Sequence, residues 1–144
     1  MKVSRIKTEV MVCSNDPENI NTKMDDDDLK QVTKLKYLGS IFTEDGKNKE
    51  DIIKRVKEAK FMFNNKEQLY CSNNLSLEIK KKLIKSCIWN VALCGSETWT
   101  LGKNEERVVN AFETWCWRRM LEIKWTHRIT NDEVFQRVKE ERLL

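Results

Sequence analysis

One proline and four glycines in 144 residues leave little turn chemistry, which argues against a turn-rich sandwich and for long elements. The chain has one histidine, His127, and its nearest cysteine, Cys116, is eleven residues away; zinc needs four Cys/His ligands in short paired clusters, so no zinc centre is expected. Cysteines 13, 71, 87, 94 and 116 form no CxxC pair. An odd count without a secretory signal fits a reducing compartment, so disulfides are not expected and the location should be intracellular, cytoplasmic or nuclear. Met1 to Arg5 lack an apolar run, and the most apolar stretch, Cys87 to Cys94, is far too short to span a bilayer, so no membrane partner is expected. Glycine-rich phosphate loops and a Ser/His/Asp arrangement are missing too, and nothing here is expected to run a reaction alone.

Charge is uneven where it is present. Residues 1–45 hold 7 Lys/Arg against 9 Asp/Glu, whereas residues 46–144 hold 20 against 14. The second stretch is the one suited to a polyanion, but its excess is modest and fits a supporting part of a larger binding channel.

Periodicity divides the chain into strands followed by helices. Residues 1–42 read as strands: Val10 to Cys13 is a short apolar run before the turn residues Ser14 to Pro17, and Leu29 to Val32 and Leu35 to Phe42 carry β-branched and aromatic side chains. The polar stretch Asn15 to Asp28 reads as an exposed loop. Ile52, Val56, Ala59 and Phe63 keep helical spacing and predict a helix over 48–69, with Asn48 as its cap. Ser76 can cap a second helix carrying Ile79, Leu83, Cys87, Ile88 and Val91, with Gly95 as a left-handed stop. A third helix is expected over 104–121, and Thr130 to Glu133 form a capping box for a fourth. The fold class is therefore α+β, a small antiparallel hairpin sheet followed by a bundle of about four helices.

Three features invite chemistry. Asp25 to Asp28 suggest a metal site, but consecutive carboxylates in a polar loop repel and diverge, and no metal or catalytic residue is assigned there. Lys80, Lys81, Lys82 and Lys85 cover about one and a half turns, a run that ordinarily marks a solvated face. The third, Phe112 to Val134, is the most informative, because it gathers Trp115, Trp117 and Trp125 with Arg118, Arg119, Lys124, Arg128 and His127. Indoles interleaved with guanidinium groups can stack bases and neutralise phosphates; equally, Val109, Phe112, Cys116 and Met120 fall at helical spacing and would be ordinary core.

The order of these segments resembles the C-terminal part of a non-LTR retrotransposon reverse transcriptase. Lys7 to Val12 resemble the strand that follows the catalytic motif in the palm, and Lys36 to Ile41 resemble the hairpin that grips the primer. Gly95 to Leu101, Phe112 to Leu121, Trp125 and Thr130 to Val134 resemble the thumb side of the same enzymes. The family's polymerase centre uses aspartates of an upstream strand and of an aromatic-x-Asp-Asp turn; Asp25 to Asp28 do not match that turn, and Cys94 stands where relatives commonly carry an aromatic.

The resemblance implies a truncated palm-and-thumb fragment of an RNA-directed DNA polymerase, with palm strands and a primer-grip-like hairpin in 1–46 and a thumb-like helical region in 47–144. It would need no cofactor of its own, although the parent family uses Mg2+, and the missing palm and fingers would be its partners. A thumb holds an RNA/DNA primer–template mainly by its backbone, which calls for distributed cations. The candidate contacts are Lys7, Lys36, Tyr37, Leu38, Gly39, Lys81, Lys85, Arg118, Arg119, Lys124 and Arg128, with Lys7 matching the lysine proposed to assist the departing pyrophosphate. The rival readings are a co-opted nucleic-acid-binding module without catalysis and a structural relic with open strand edges.

Overall fold

The computed structural model describes residues 4, 7–14, 20–24 and 27–143, which fall into two compact units, 1–51 and 52–144. Short strands precede a set of helices, an α+β chain.

The first unit is built from three two-stranded ladders among the described residues. The strand β1 (Glu9–Val10) and β4 (Lys30–Gln31) pair in parallel, where sequence reasoning gave only antiparallel strands. The charged partners Glu9 and Lys30, 3.4 Å apart, and the Val32 amide donating to the Val10 carbonyl hold this short pair in register. Within the stretch expected to be loop, β2 (Lys23–Met24) and β3 (Asp27–Asp28) form an antiparallel ladder. Lys23 lies 3.8 Å from Asp28, so opposite charges face each other across a ladder in a stretch whose polarity read as loop. Asp25 and Asp26, like the turn residues Asn15 to Pro17, lie outside the described residues.

The third ladder is the hairpin of β5 (Lys34–Tyr37) and β6 (Ser40–Thr43), with Lys36 opposite Ile41 and Tyr37 opposite Ser40. Its two-residue turn is Leu38-Gly39, with φ of 48° and 89°. Two positive φ values match the twist of the flanking strands, which is why such hairpins favour Asn-Gly; glycine adopts the angle freely, leucine does not. Helix α1 (Lys49–Asn65) starts in this unit. The Asp51 carboxylate, only 2% exposed, accepts the Ile41 amide at 3.0 Å, and Lys34 meets Glu50 at 2.6 Å.

The second unit contains a single apolar core. On α1, Ile52, Val56, Ala59 and Phe63 are all buried, as their spacing predicts. The helix ends at Asn65, and a short α2 (Glu67–Tyr70) follows. Ser76 caps α3 (Leu77–Leu83) by accepting the Ile79 amide. The chain then widens into a π-helix, Ile84–Trp89, before α4 (Asn90–Ala92), and Gly95 takes the left-handed conformation at φ 82°.

The π segment changes which residues face inward. Ile84, Ile88 and Trp89 are buried, while Ile79 is 47% exposed. Lys80 and Lys81 are buried as well, which corrects the expectation of a solvated face for two of the four lysines, Lys82 and Lys85 staying exposed: Lys81 is held inward by Glu140 and the Val138 carbonyl, each 3.0 Å away.

Helix α5 (Lys103–Met120) crosses the core with Val109, Phe112, Cys116 and Met120 buried, as their reading as core required, and with Trp117 buried beside them. Phe63 sits 4.9 Å from Tyr70 and 5.1 Å from Trp115, and Trp89 lies 4.9 Å from Trp117. Helix α6 (Asn131–Val138) starts with the expected capping box: Thr130 Oγ1 accepts the Glu133 amide at 3.3 Å, and Glu133 Oε2 accepts the Thr130 amide at 2.7 Å. All five cysteines are free.

Candidate nucleic-acid interface

The end of α5 is stopped by two backbone bonds around a left-handed residue. Glu122, at φ 53°, donates to the Arg119 carbonyl, and Ile123 donates to that of Arg118. Glycine is usual at this stop; here a glutamate holds the position. The chain then runs through Lys124 into a single 3-10 turn, Trp125–His127, and leaves it at Arg128, also left-handed at φ 50°. Inside the turn the Lys124 amide donates to His127 Nδ1 at 3.2 Å.

Arg118 fastens the far side of this loop. Its guanidinium donates to the Ile129 carbonyl at 2.5 Å and to Asn131 Oδ1 at 2.9 and 3.2 Å. The result is a loop tied at both ends that carries Trp125 at 90% exposure. Against it lies a cleft of about 1020 Å³, whose opposite wall is the α1–α2 corner with Asn64, Asn65, Glu67, Gln68 and Cys71.

Arg119 bridges to this wall. It meets Glu67 at 3.1 Å, lies 5.6 Å from the Trp115 ring, and its carbonyl accepts the Cys71 thiol at 3.2 Å. Burial, followed by the nearby Glu67 and Glu122 carboxylates, raises the Cys71 thiol above its ordinary value, so it stays protonated and unreactive at neutral pH. The cleft lining holds three cationic side chains, Arg118, Arg119 and Lys124, against two anionic ones, Glu67 and Glu122.

The three tryptophans of the cluster thus have separate fates. Trp117 is fully buried and donates to Glu113 Oε1 at 3.4 Å, so of the two readings of the cluster its indole takes the core one and is not placed to stack a base. Trp115 is half-buried, with Lys60 5.3 Å from its ring. Only Trp125 of the three presents its ring to solvent.

The remaining candidates lie elsewhere. Lys81 is turned inward to Glu78, Glu140 and the Val138 carbonyl, each at 3.0 Å, and Lys85 meets Glu140 at 2.7 Å. Glu78 and then Glu140 raise the Lys81 ammonium above its usual value. In the first unit, Lys7 and Lys36 are exposed, and Tyr37 and Leu38 are 61% and 87% exposed at the hairpin tip.

Sequence reasoning missed the α1–α2 corner. Its only signal was Asn64-Asn65, two weak helix formers at the end of a periodic run. Among the described residues no group of three His, Cys, Asp or Glu is placed to hold a metal ion, and no described helix is long and apolar enough to cross a membrane. Neither a protein-family model, a curated protein nor a solved structure matches the chain.

Proposed function

We propose that this chain is a palm-and-thumb segment of a non-LTR retrotransposon reverse transcriptase, and that its helical unit contributes nucleic-acid binding. The observation that carries the binding is the tied loop 121–131, which sets Trp125, Lys124 and Arg128 outward beside Arg119. Exposed cations near a fixed aromatic ring are what backbone-directed binding requires, and Arg118 supports that display from behind. The hairpin with its bare Tyr37-Leu38 tip fits the primer-grip resemblance on the palm side.

A second reading, a non-catalytic binding module, draws on the self-contained core of the helical unit, whose buried apolar residues run from Ile52 to Val138. In both readings the purified chain binds an RNA–DNA hybrid with an affinity that falls as salt rises and with little sequence preference. Fluorescence anisotropy with a labelled hybrid over a salt series tests this. Binding without salt dependence would remove the backbone-directed mode, and no binding at low salt would remove nucleic acid as the ligand.

A further inference from the structure

We infer that the cleft beside Trp125 is a site for an unpaired nucleotide, with the base stacked on the indole and its edge met by the amides of the α1–α2 corner. The inference rests on the nucleic-acid reading above and adds the state of the strand. The indole, 90% exposed, is open to a ligand on the cleft, and the loop that carries it is bracketed by two left-handed residues, Glu122 and Arg128, and held by Arg118. Its ring is therefore presented in a set place, which lowers the ordering cost of stacking.

The cleft favours a single strand over a duplex. Its volume, about 1020 Å³, is of the size that encloses a small ligand, whereas a double helix needs a long, strongly cationic track. The cleft lining, with three cations against two anions, is too weakly charged to hold a duplex without the cations outside it, but Lys124 and Arg119 suffice for the phosphates beside one stacked nucleotide. Asn64, Asn65 and Gln68 each offer a donor and an acceptor. They can meet the hydrogen-bonding edge of any base, and that edge is free only when the base is unpaired.

The test uses the full chain with three labelled probes: oligothymidine, a blunt RNA–DNA hybrid, and the same hybrid with a single-stranded overhang. Trp125→Ala is expected to weaken oligothymidine and the overhang by about 5- to 150-fold, the range for one lost stacked base. The blunt hybrid should weaken clearly less than either of these, every salt slope should stay as in the parent, and Trp125→Phe should restore most of the loss. Saturating oligothymidine should also quench the emission that the parent has and Trp125→Phe lacks. Because Trp125 packs against nothing in the core, an unchanged melting midpoint checks that the variant is folded. Oligothymidine binding unaffected by Trp125→Ala, or equal losses on all three probes, overturns the unpaired-base site while leaving salt-dependent nucleic-acid binding intact; no salt-dependent binding of any probe removes both.

Discussion

Arg118 donates from one guanidinium nitrogen to the Ile129 carbonyl and to the Asn131 side chain, whereas its neighbour Arg119 reaches the half-exposed Glu67. The two adjacent arginines therefore differ in kind. Arg118→Ala should destabilise the fold by about 1–3 kcal/mol, because it strips partners from the start of α6. Arg119→Ala should cost less than about 1 kcal/mol, as exposed ion pairs do, yet reduce the magnitude of the log–log salt slope for hybrid binding by about one. Thermal melts paired with a salt series separate the two; equal stability losses would contradict the division.

Lys81 and Lys85 share Glu140 but not its burial, since the Lys81 side chain is 8% exposed and that of Lys85 51%. Lys81→Met should lower stability by about 1–3 kcal/mol, leaving Glu140 and the Val138 carbonyl short of a donor. Lys85→Met should change it by less than about 1 kcal/mol. The raised Lys81 ammonium stabilises the fold fully below its ordinary value of 10.5 and ceases to do so as pH climbs through the raised one. Urea unfolding of both variants at neutral pH measures the ordering.

Glu113 supplies a pH dependence of opposite sign to most carboxylates. Burial raises its pKa above the ordinary 4.5, although the Leu143 amide and Trp117 indole pull the other way. A carboxyl with a raised folded value binds more protons folded than unfolded, so its contribution to stability falls as pH rises from 4.5 through the raised value. Glu140 behaves in the opposite way: burial opposes its ionisation, but Lys85 and Lys81 outweigh that and lower its pKa, so its contribution is lost on acidification. Subtracting the melting curve of Glu113→Gln from that of the parent across pH 4.5 to 7 should leave a descending difference; a flat one would show that the carboxyl is solvated.

The first unit should open more readily than the second. Among the described residues, four of its six strands are two residues long, whereas α5 carries five buried apolar side chains. Hydrogen exchange should be fast at Val10 and Gln31 and slow around Phe112. Comparable protection at the two sites would show that the strands are stabilised by more than their ladders.

Legibility in the sequence tracked how local each cause was. The α1 stripe, the Ser76 cap and the Thr130 capping box depend on residues within four positions of one another, and their spacing displays them; the Leu38-Gly39 turn instead splits the run Leu35 to Phe42, where only the family resemblance implied a hairpin. The buried lysines, the fate of Trp117 and the Trp125 cleft depend on partners far along the chain: Lys81 finds Glu140, and Arg119 finds Glu67. No period encodes such meetings. The β2–β3 ladder escaped because three of its four residues, Lys23, Asp27 and Asp28, are charged, so its pairing left no hydrophobic alternation to read.

The wide turn at Ile84–Trp89 has a consequence for descent as well as packing. A π turn is what an α-helix becomes when it absorbs one inserted residue without breaking; it lets Ile88 and Trp89, neighbours in sequence, both reach the core. The buried Trp89 Nε1 has no hydrogen-bond partner among the described residues, a cost that a shorter helix, with this side chain turned outward, would not bear. A homologue lacking one residue between 84 and 89 should therefore keep the helix, lose the bulge and carry a polar residue in place of Trp89, so that the gap in an alignment falls inside a helix rather than in a loop.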